Sequence, residues 1–391
     1  MKINLFDDST WISLRPLTFT RPVADLRVGI LTIAGKWNYY SNNNAGFSTA
    51  GYLSVKYPLL TDAEAFVNGS VCPDPELYAA VWQLRNGEVL KKEGLILAFK
   101  TNIGERLTLE EAGRLKPVAY TLNFTRIVFP EDIFKYNDAE LRRDFKLLTA
   151  GRTSSAISST NTVLGDHIFA EEGAEAECAT FNTLTGPIYL GKDTQVWEGS
   201  NIRGSFALCE GSQLKMGSKI YGQTTVGPFS RVGGEINNAV IWGYSSKGHE
   251  GYLGNAVMGQ WCNIGADSNN SNLKNNYAEV KLWDYENERF RETGLQFCGL
   301  IMGDHAKCGI NTMFNTGTVV GVSANIFGAG YPRNFVPDFA WGGAHRFEVY
   351  GLKKMFETSE KVFERRGLEF NEIERNILSY IFEITSVYRR F

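Results

Sequence analysis

The chain has 391 residues, 43% of them hydrophobic, and a formal charge of −3. That length supports two or three domains with well-buried cores. The near-balanced charge gives no field for nucleic acid or an anionic membrane surface. The opening residues, MKINLFDDSTWISLRP, lack the apolar stretch of a secretion signal, and no apolar run approaches a membrane span, so a cytoplasmic protein is expected. Six cysteines without CxxC spacing read as buried thiols rather than disulfides or structural zinc.

Residues 1–150 mix short apolar runs (Gly94 to Phe99, Arg126 to Phe129) with helical patterns such as Asp74 to Leu84, and read as an α/β domain. Within it, Ser13-Leu-Arg-Pro-Leu-Thr-Phe-Thr-Arg21-Pro22 resembles the phosphate-binding turn of sugar-nucleotide pyrophosphorylases. The resemblance implies a Rossmann-like nucleotidyltransferase domain. It makes Arg15, Arg21 and Arg27 the nucleotide-binding charges, with UTP and Mg²⁺ as expected ligands. Three features depart from the motif: Asp8 to Ile12 contains no glycine, Val23 replaces the usual lysine, and Ser70 stands in the metal-ligand slot after Asn68. A magnesium site wants carboxylates. Asp7, Asp8 and Asp25 are the candidates in sequence, but no metal ligand is assigned.

The stretch from Thr149 to Thr162, rich in Ser, Thr and Ala, reads as a linker. Beyond it the chain keeps a six-residue clock: Leu190, Val196, Ile202, Leu208, Leu214, Ile220, Val226 and Val232. It returns as Met302, Cys308, Phe314, Val320 and Ile326. A helix repeats every three or four residues and a strand every two. A strict six predicts a hexapeptide β-solenoid, with one inward aliphatic side chain per flat face and glycines at the corners. Triangular coils of eighteen residues are expected over 151–345, interrupted between Gly234 and Tyr252 and by the polar tract Asp267 to Asn276. Residues 346–391 carry Phe356, Phe363, Ile373, Ile377, Ile381 and Ile384 among charges and predict two amphipathic helices broken near Gly367.

Of the four histidines, His249 stands where the clock breaks and resumes. An amine must lose a proton to attack a thioester, and imidazole is well suited to accept it near neutral pH. The surrounding Gly248 to Ala266, G-H-E-G-Y-L-G-N-A-V-M-G-Q-W-C-N-I-G-A, is similar to a segment of the GlmU family. Those bifunctional enzymes join glucosamine-1-phosphate acetyltransferase to N-acetylglucosamine-1-phosphate uridyltransferase, and the chain resembles a shortened form of them. The resemblance implies a left-handed parallel β-helix, with His249 as the general base and acetyl-CoA as cosubstrate. It places Tyr252, Asn263 and Asn272 on substrate-binding positions, and Ala266, Ile310 and Gly328 on acetyl-CoA contacts. The family's phosphate-binding lysine falls on Asn237, and Lys219, Arg231 and Lys247 are alternatives for its charge. Lys247 is carried as a substrate-binding candidate.

His305 reads as an ordinary surface position of the solenoid. The scattered histidines do not suggest a zinc site made of three imidazoles. The expected partners are a sugar phosphate and a nucleotide sugar, with further copies of the chain in a homotrimer. Two rival readings stand beside the transferase: a pure sugar nucleotidyltransferase whose solenoid only oligomerises, and a non-catalytic sugar-nucleotide-binding regulator.

Overall fold

The computed structural model describes residues 1–42 and 45–391 and divides into two compact units. The first contains Met1–Leu14, Thr18–Leu26 and Leu31–Phe129. Its six-stranded sheet runs in the order Ala45–Ser48, Ile3–Phe6, Ala65–Asn68, Leu95–Lys100, Glu88–Lys92 and Lys116–Ala119. The first three strands are parallel, and Leu95–Lys100 is antiparallel to both its neighbours. Ile3–Phe6 and Ala65–Asn68 are buried at every residue, as strands covered on both faces must be. Asp74 caps the helix Pro75–Gln83 by accepting from Leu77 N, with proline in the first turn where its missing N–H costs nothing. The α/β expectation holds.

The second unit contains Arg15–Leu17, Arg27–Ile30 and Pro130–Phe391. It opens with the helix Pro130–Thr149, whose buried polar residues anchor it. Asn137 accepts from Gly29 N and donates to Gln223 O and Thr225 Oγ1, and Asp144 accepts from Ile30 N. By its contacts this helix groups with the solenoid.

From Thr162 the chain winds as a left-handed parallel β-helix with three faces. Leu190, Leu208 and Val226 pair in register on one face, and Ile202 and Ile220 on another, at the expected eighteen-residue interval. Val196, Leu214 and Val232 pair on the third. These side chains are at most 2% exposed and form one continuous core. Burying each aliphatic side chain is worth about 1.5–3 kcal/mol, which is why a single inward residue per face suffices. Corners require left-handed backbone. Gly211 serves one at φ +64°, where a Cβ would stand 2.5 Å from the Phe229 ring.

The stretch from Gly234 to Tyr252 is not an interruption but a shortened coil. Glu235–Ile241 and Tyr252–Met258 are seven-residue strands that each pass from one face onto the next at a left-handed asparagine, Asn238 at φ +50° and Asn255 at φ +46°, and they pair on either side of it. Tighter corners bring Ile236 sixteen residues after its partner Ile220 and Ile241 fifteen after Val226, which breaks the clock without breaking the coil. The second polar tract does leave the helix. After Asn270 the chain makes an excursion that includes the hairpin Lys281–Asp284 with Arg289–Glu292, and it rejoins at Leu300. The C-terminal helices are Leu352–Glu364 and Glu372–Ile384, with Gly367 between them at φ +68°.

All six cysteines are free, and all but Cys178 are buried. His305 is not a surface residue: it is 5% exposed, and its ring lies parallel to those of Trp261 and Phe363. No helix among the described residues is long and apolar enough to cross a membrane.

Candidate functional site

The register of the solenoid decides which distant residues become neighbours. On the third face, Lys247, Ile264, Cys308 and Ile326 hold the inward position in four successive coils. Two residues after each of these come His249, Ala266, Ile310 and Gly328. The four therefore stack along one edge, at about 5 Å per coil. Backbone bonds tie the column together, Asp267 N to Glu250 O and Asn311 N to Ala266 O. His249 is exposed, and its imidazole has no protein partner among the described residues. Ile310 is 70% exposed, and open space lies beside Gly328.

Tyr252 follows the same turn onto the next face. Its hydroxyl accepts from Asn272 Nδ2 at 2.9 Å and from Asn237 Nδ2 at 3.3 Å, and Asn272 also donates to Asn255 Oδ1 at 2.8 Å. With both acceptor positions occupied, the phenolic proton of Tyr252 is left to donate. The ring crosses Gly254, where a Cβ would lie 2.2 Å from the hydroxyl, so only glycine fits beneath it. Asn237, Gly254 and Asn255 belong to this cluster without having been singled out as contributors. The available signal was the density of asparagines around the broken clock, which has no periodicity of its own.

Two expected substrate contacts separate from this cluster. Lys247 is 1% exposed and occupies an inward aliphatic position. Its ammonium donates to the carbonyls of Gly233 and His249, and burial pushes its pKa down to about 8. It braces the His249 turn from inside and presents no charge to a ligand. Asn263 lies outward on the third face, across the edge from Tyr252.

In the first unit, the ends of the parallel strands Ile3–Phe6 and Ala65–Asn68 form the place where open α/β sheets usually take ligands. The Asp8 carboxylate there accepts from Thr10 N and Oγ1, from Asn68 Nδ2 and from Arg126 at 2.8 Å. Burial pushes its pKa up, but the bonds from Thr10 and Asn68 and the Arg126 charge outweigh it and hold the group below the carboxylate range. Ser70 donates to Asn68 Oδ1 and accepts from Arg126 Nε. Asp7 is closed by Val23 N and Thr49, and burial raises its pKa to about 7.

The expected Mg²⁺ does not fit this donor set. Its one suitably placed carboxylate, Asp8, is committed to a guanidinium, and no group of three acidic, histidine or cysteine side chains among the described residues could hold a metal. The three expected phosphate-binding arginines each have a protein partner. Arg21 is 2% exposed and paired with Asp25, which also accepts from Tyr57. Arg15 and Arg27 belong to the second unit, where Arg15 bonds Tyr388 and Arg27 reaches Ile30 O and Cys209. Each is held by a structural partner that the sequence spacing could not reveal.

Residues 3–153 match the family model described as sugar nucleotidyl transferase. The chain thus joins a nucleotidyltransferase-like domain to a hexapeptide β-helix. Similar solved structures include a UDP-N-acetylglucosamine acyltransferase from Francisella novicida, at 12% identity and a TM-score of 0.35, covering 60% of this chain and 79% of that one. Another is the corresponding acyltransferase from Campylobacter jejuni, at 14% identity and a TM-score of 0.27, covering 58% and 83%. An N-acyltransferase from Bacillus cereus is similar at 12% identity and a TM-score of 0.22, covering 53% and 92%. No curated protein matches.

Proposed function

We propose that this chain is an acetyl-CoA-dependent N-acetyltransferase of amino-sugar nucleotide biosynthesis, acting on an amino-sugar 1-phosphate in the cytoplasm. The observation that carries the reading is the His249 imidazole, exposed and unpartnered, at the head of one edge column with Ala266, Ile310 and Gly328. The Tyr252–Asn272–Asn255 cluster lies beside it. In this reading His249 takes the proton released as the sugar nitrogen becomes an amide, and the nitrogen attacks the thioester carbonyl. The C–S bond then breaks, and the CoA thiolate leaves and is protonated. The Tyr252 hydroxyl donates to the sugar phosphate, with Asn272 holding its ring in place. Asn263 contributes from the neighbouring face.

Flat solenoid faces do not enclose a long CoA arm, so a closed cyclic trimer would complete the site between copies. The first unit, given its family match, is read as binding a nucleotide sugar. Its occupied Asp8–Arg126 pair disfavours metal-assisted uridylyl transfer there. The test is thiol release from acetyl-CoA in the presence of a panel of amino-sugar phosphates. Release that requires one of them supports the proposal. Absence of release with every member, from a trimer shown by sedimentation, would overturn it and leave a binding protein.

A further inference from the structure

The helix Leu352–Glu364 lies against the third solenoid face, and a cavity of about 200 Å³ remains between its C-terminal end and that face. Register brings Arg231, Ser246, Asn263 and Lys307 onto successive coils as outward residues, and the helix end adds Arg365 and Arg366. No carboxylate lines the cavity. None of the three guanidinium groups makes a side-chain hydrogen bond or ion pair among the described residues. The nearby acids do not neutralise them. Glu364 pairs with Lys361 at 2.8 Å, and Glu210, whose charge reaches Tyr244, pairs with none of the three.

This is an unusual arrangement of charge. Surface arginines ordinarily spread apart or find acids, because like charges at close range repel. Here burial, together with the charges of Arg231 and Arg365, pushes the pKa of Arg366 down. Lys307 adds a fourth cation, held by the His305 carbonyl at 2.9 Å and itself pushed down to about 8 by burial. Stacked rings build the wall: Tyr244 on Trp261 at 4.3 Å and Trp261 on Phe363 at 3.9 Å. The cavity therefore has an aromatic wall, and Ser246 and Asn263 add neutral hydrogen-bonding groups.

We infer that this cavity is a phosphate-binding site, taking the terminal phosphoryl group of a larger ligand between Arg231, Arg365 and Arg366. Forked guanidinium donors match phosphate oxygens, and a dianion would offset their mutual repulsion. The volume is below the roughly 300–1,000 Å³ of pockets that enclose whole small molecules, which suits a terminal group. Ser246 stands three residues before His249, about 10 Å along an extended chain, so the ligand can reach the solenoid edge. Two sources share this chemistry, the phosphate of a sugar phosphate and the 3′-phosphate of coenzyme A. The site itself does not depend on the acetyltransferase reading.

Inorganic phosphate tests it on the full chain. Thermal melting and titration calorimetry should show phosphate binding to the wild type and a raised melting temperature. Arg366→Gln and Arg231→Gln should each weaken binding by about 10–100-fold, the loss expected for a charge-assisted hydrogen bond. Without phosphate, Arg366→Gln should melt no lower than the wild type, because it removes repulsion. A purely structural arginine would instead leave the variant less stable at every phosphate concentration. A tenfold or greater preference for CoA over dephospho-CoA, lost in Arg366→Gln, would assign the site to the cosubstrate. The same pattern for glucosamine 1-phosphate over glucosamine would assign it to the sugar. No phosphate binding by the wild type up to roughly 10 mM, weaker than any useful affinity, would overturn the inference. So would unchanged affinity in both variants.

Discussion

The two polar centres of this protein look alike in composition and differ in what their groups are doing. At the strand ends of the first unit, Asp8, Asn68, Ser70 and Arg126 satisfy one another, and Asp7 is closed by Thr49 and the Val23 amide. Along the solenoid, His249 and the arginines over the third face have no protein partner among the described residues. Buried polar groups must be paired, so a closed network accounts for itself energetically and implies no ligand. Groups held in place by a rigid scaffold but left unpaired are the ones a ligand can complete. By that criterion the second unit is where the chemistry is proposed.

The sharpest way to break this contrast is at His249. His249→Ala should reduce acetyl transfer by about 10²–10⁴-fold, the usual contribution of a positioned general base, with an unchanged melting temperature. Near-full turnover in that variant would remove the histidine from the mechanism. In the solenoid core, Leu208→Ala should cost about 2–5 kcal/mol in denaturant unfolding, because a flat face cannot collapse into the cavity. For the first unit the corresponding effect is structural. Asp8→Ala should lower its stability by about 3 kcal/mol, since it leaves Arg126 partly buried without its acid. Nucleotide-sugar binding, measured by calorimetry, should be the same in Mg²⁺ and in chelator. A strict Mg²⁺ requirement would show that the Asp8–Arg126 pair opens to admit metal.

A smaller effect concerns the buried lysine. Because the folded-state pKa of Lys247 lies near 8, below its ordinary 10.5, the folded protein binds fewer protons than the unfolded chain between those values. Stability should therefore rise with pH across the window from about 8 to 10.5. Lys247→Met, which keeps the length and removes the charge, should reduce that slope, leaving the part due to Lys307. An identical slope in the variant would mean that the ammonium is solvated in the native state.

Much of the solenoid was legible in the chain. One inward side chain per face, six residues apart, is a local rule, so Leu190, Ile202 and Val232 predicted the fold without any knowledge of distant contacts. His249 was legible for the complementary reason: it sits where the rule fails. The tighter corners around Glu235–Ile241 conserve pairing while changing spacing, and spacing is all that periodicity detects.

What tertiary structure alone decided is the direction and partner of each charge. Lys247 and Asn263 read equally well as ligand contacts, yet the first faces the core and the second faces outward, because the side chain's face depends on register. Arg15, Arg21 and Arg27 lie close together in sequence, yet each meets a different structural partner. Arg231 and Arg366 are far apart in sequence and meet across one cavity. Repetition is written in the order of the residues and survives reading along the chain. Charge pairing is written in the distances between coils, and only the folded chain sets those.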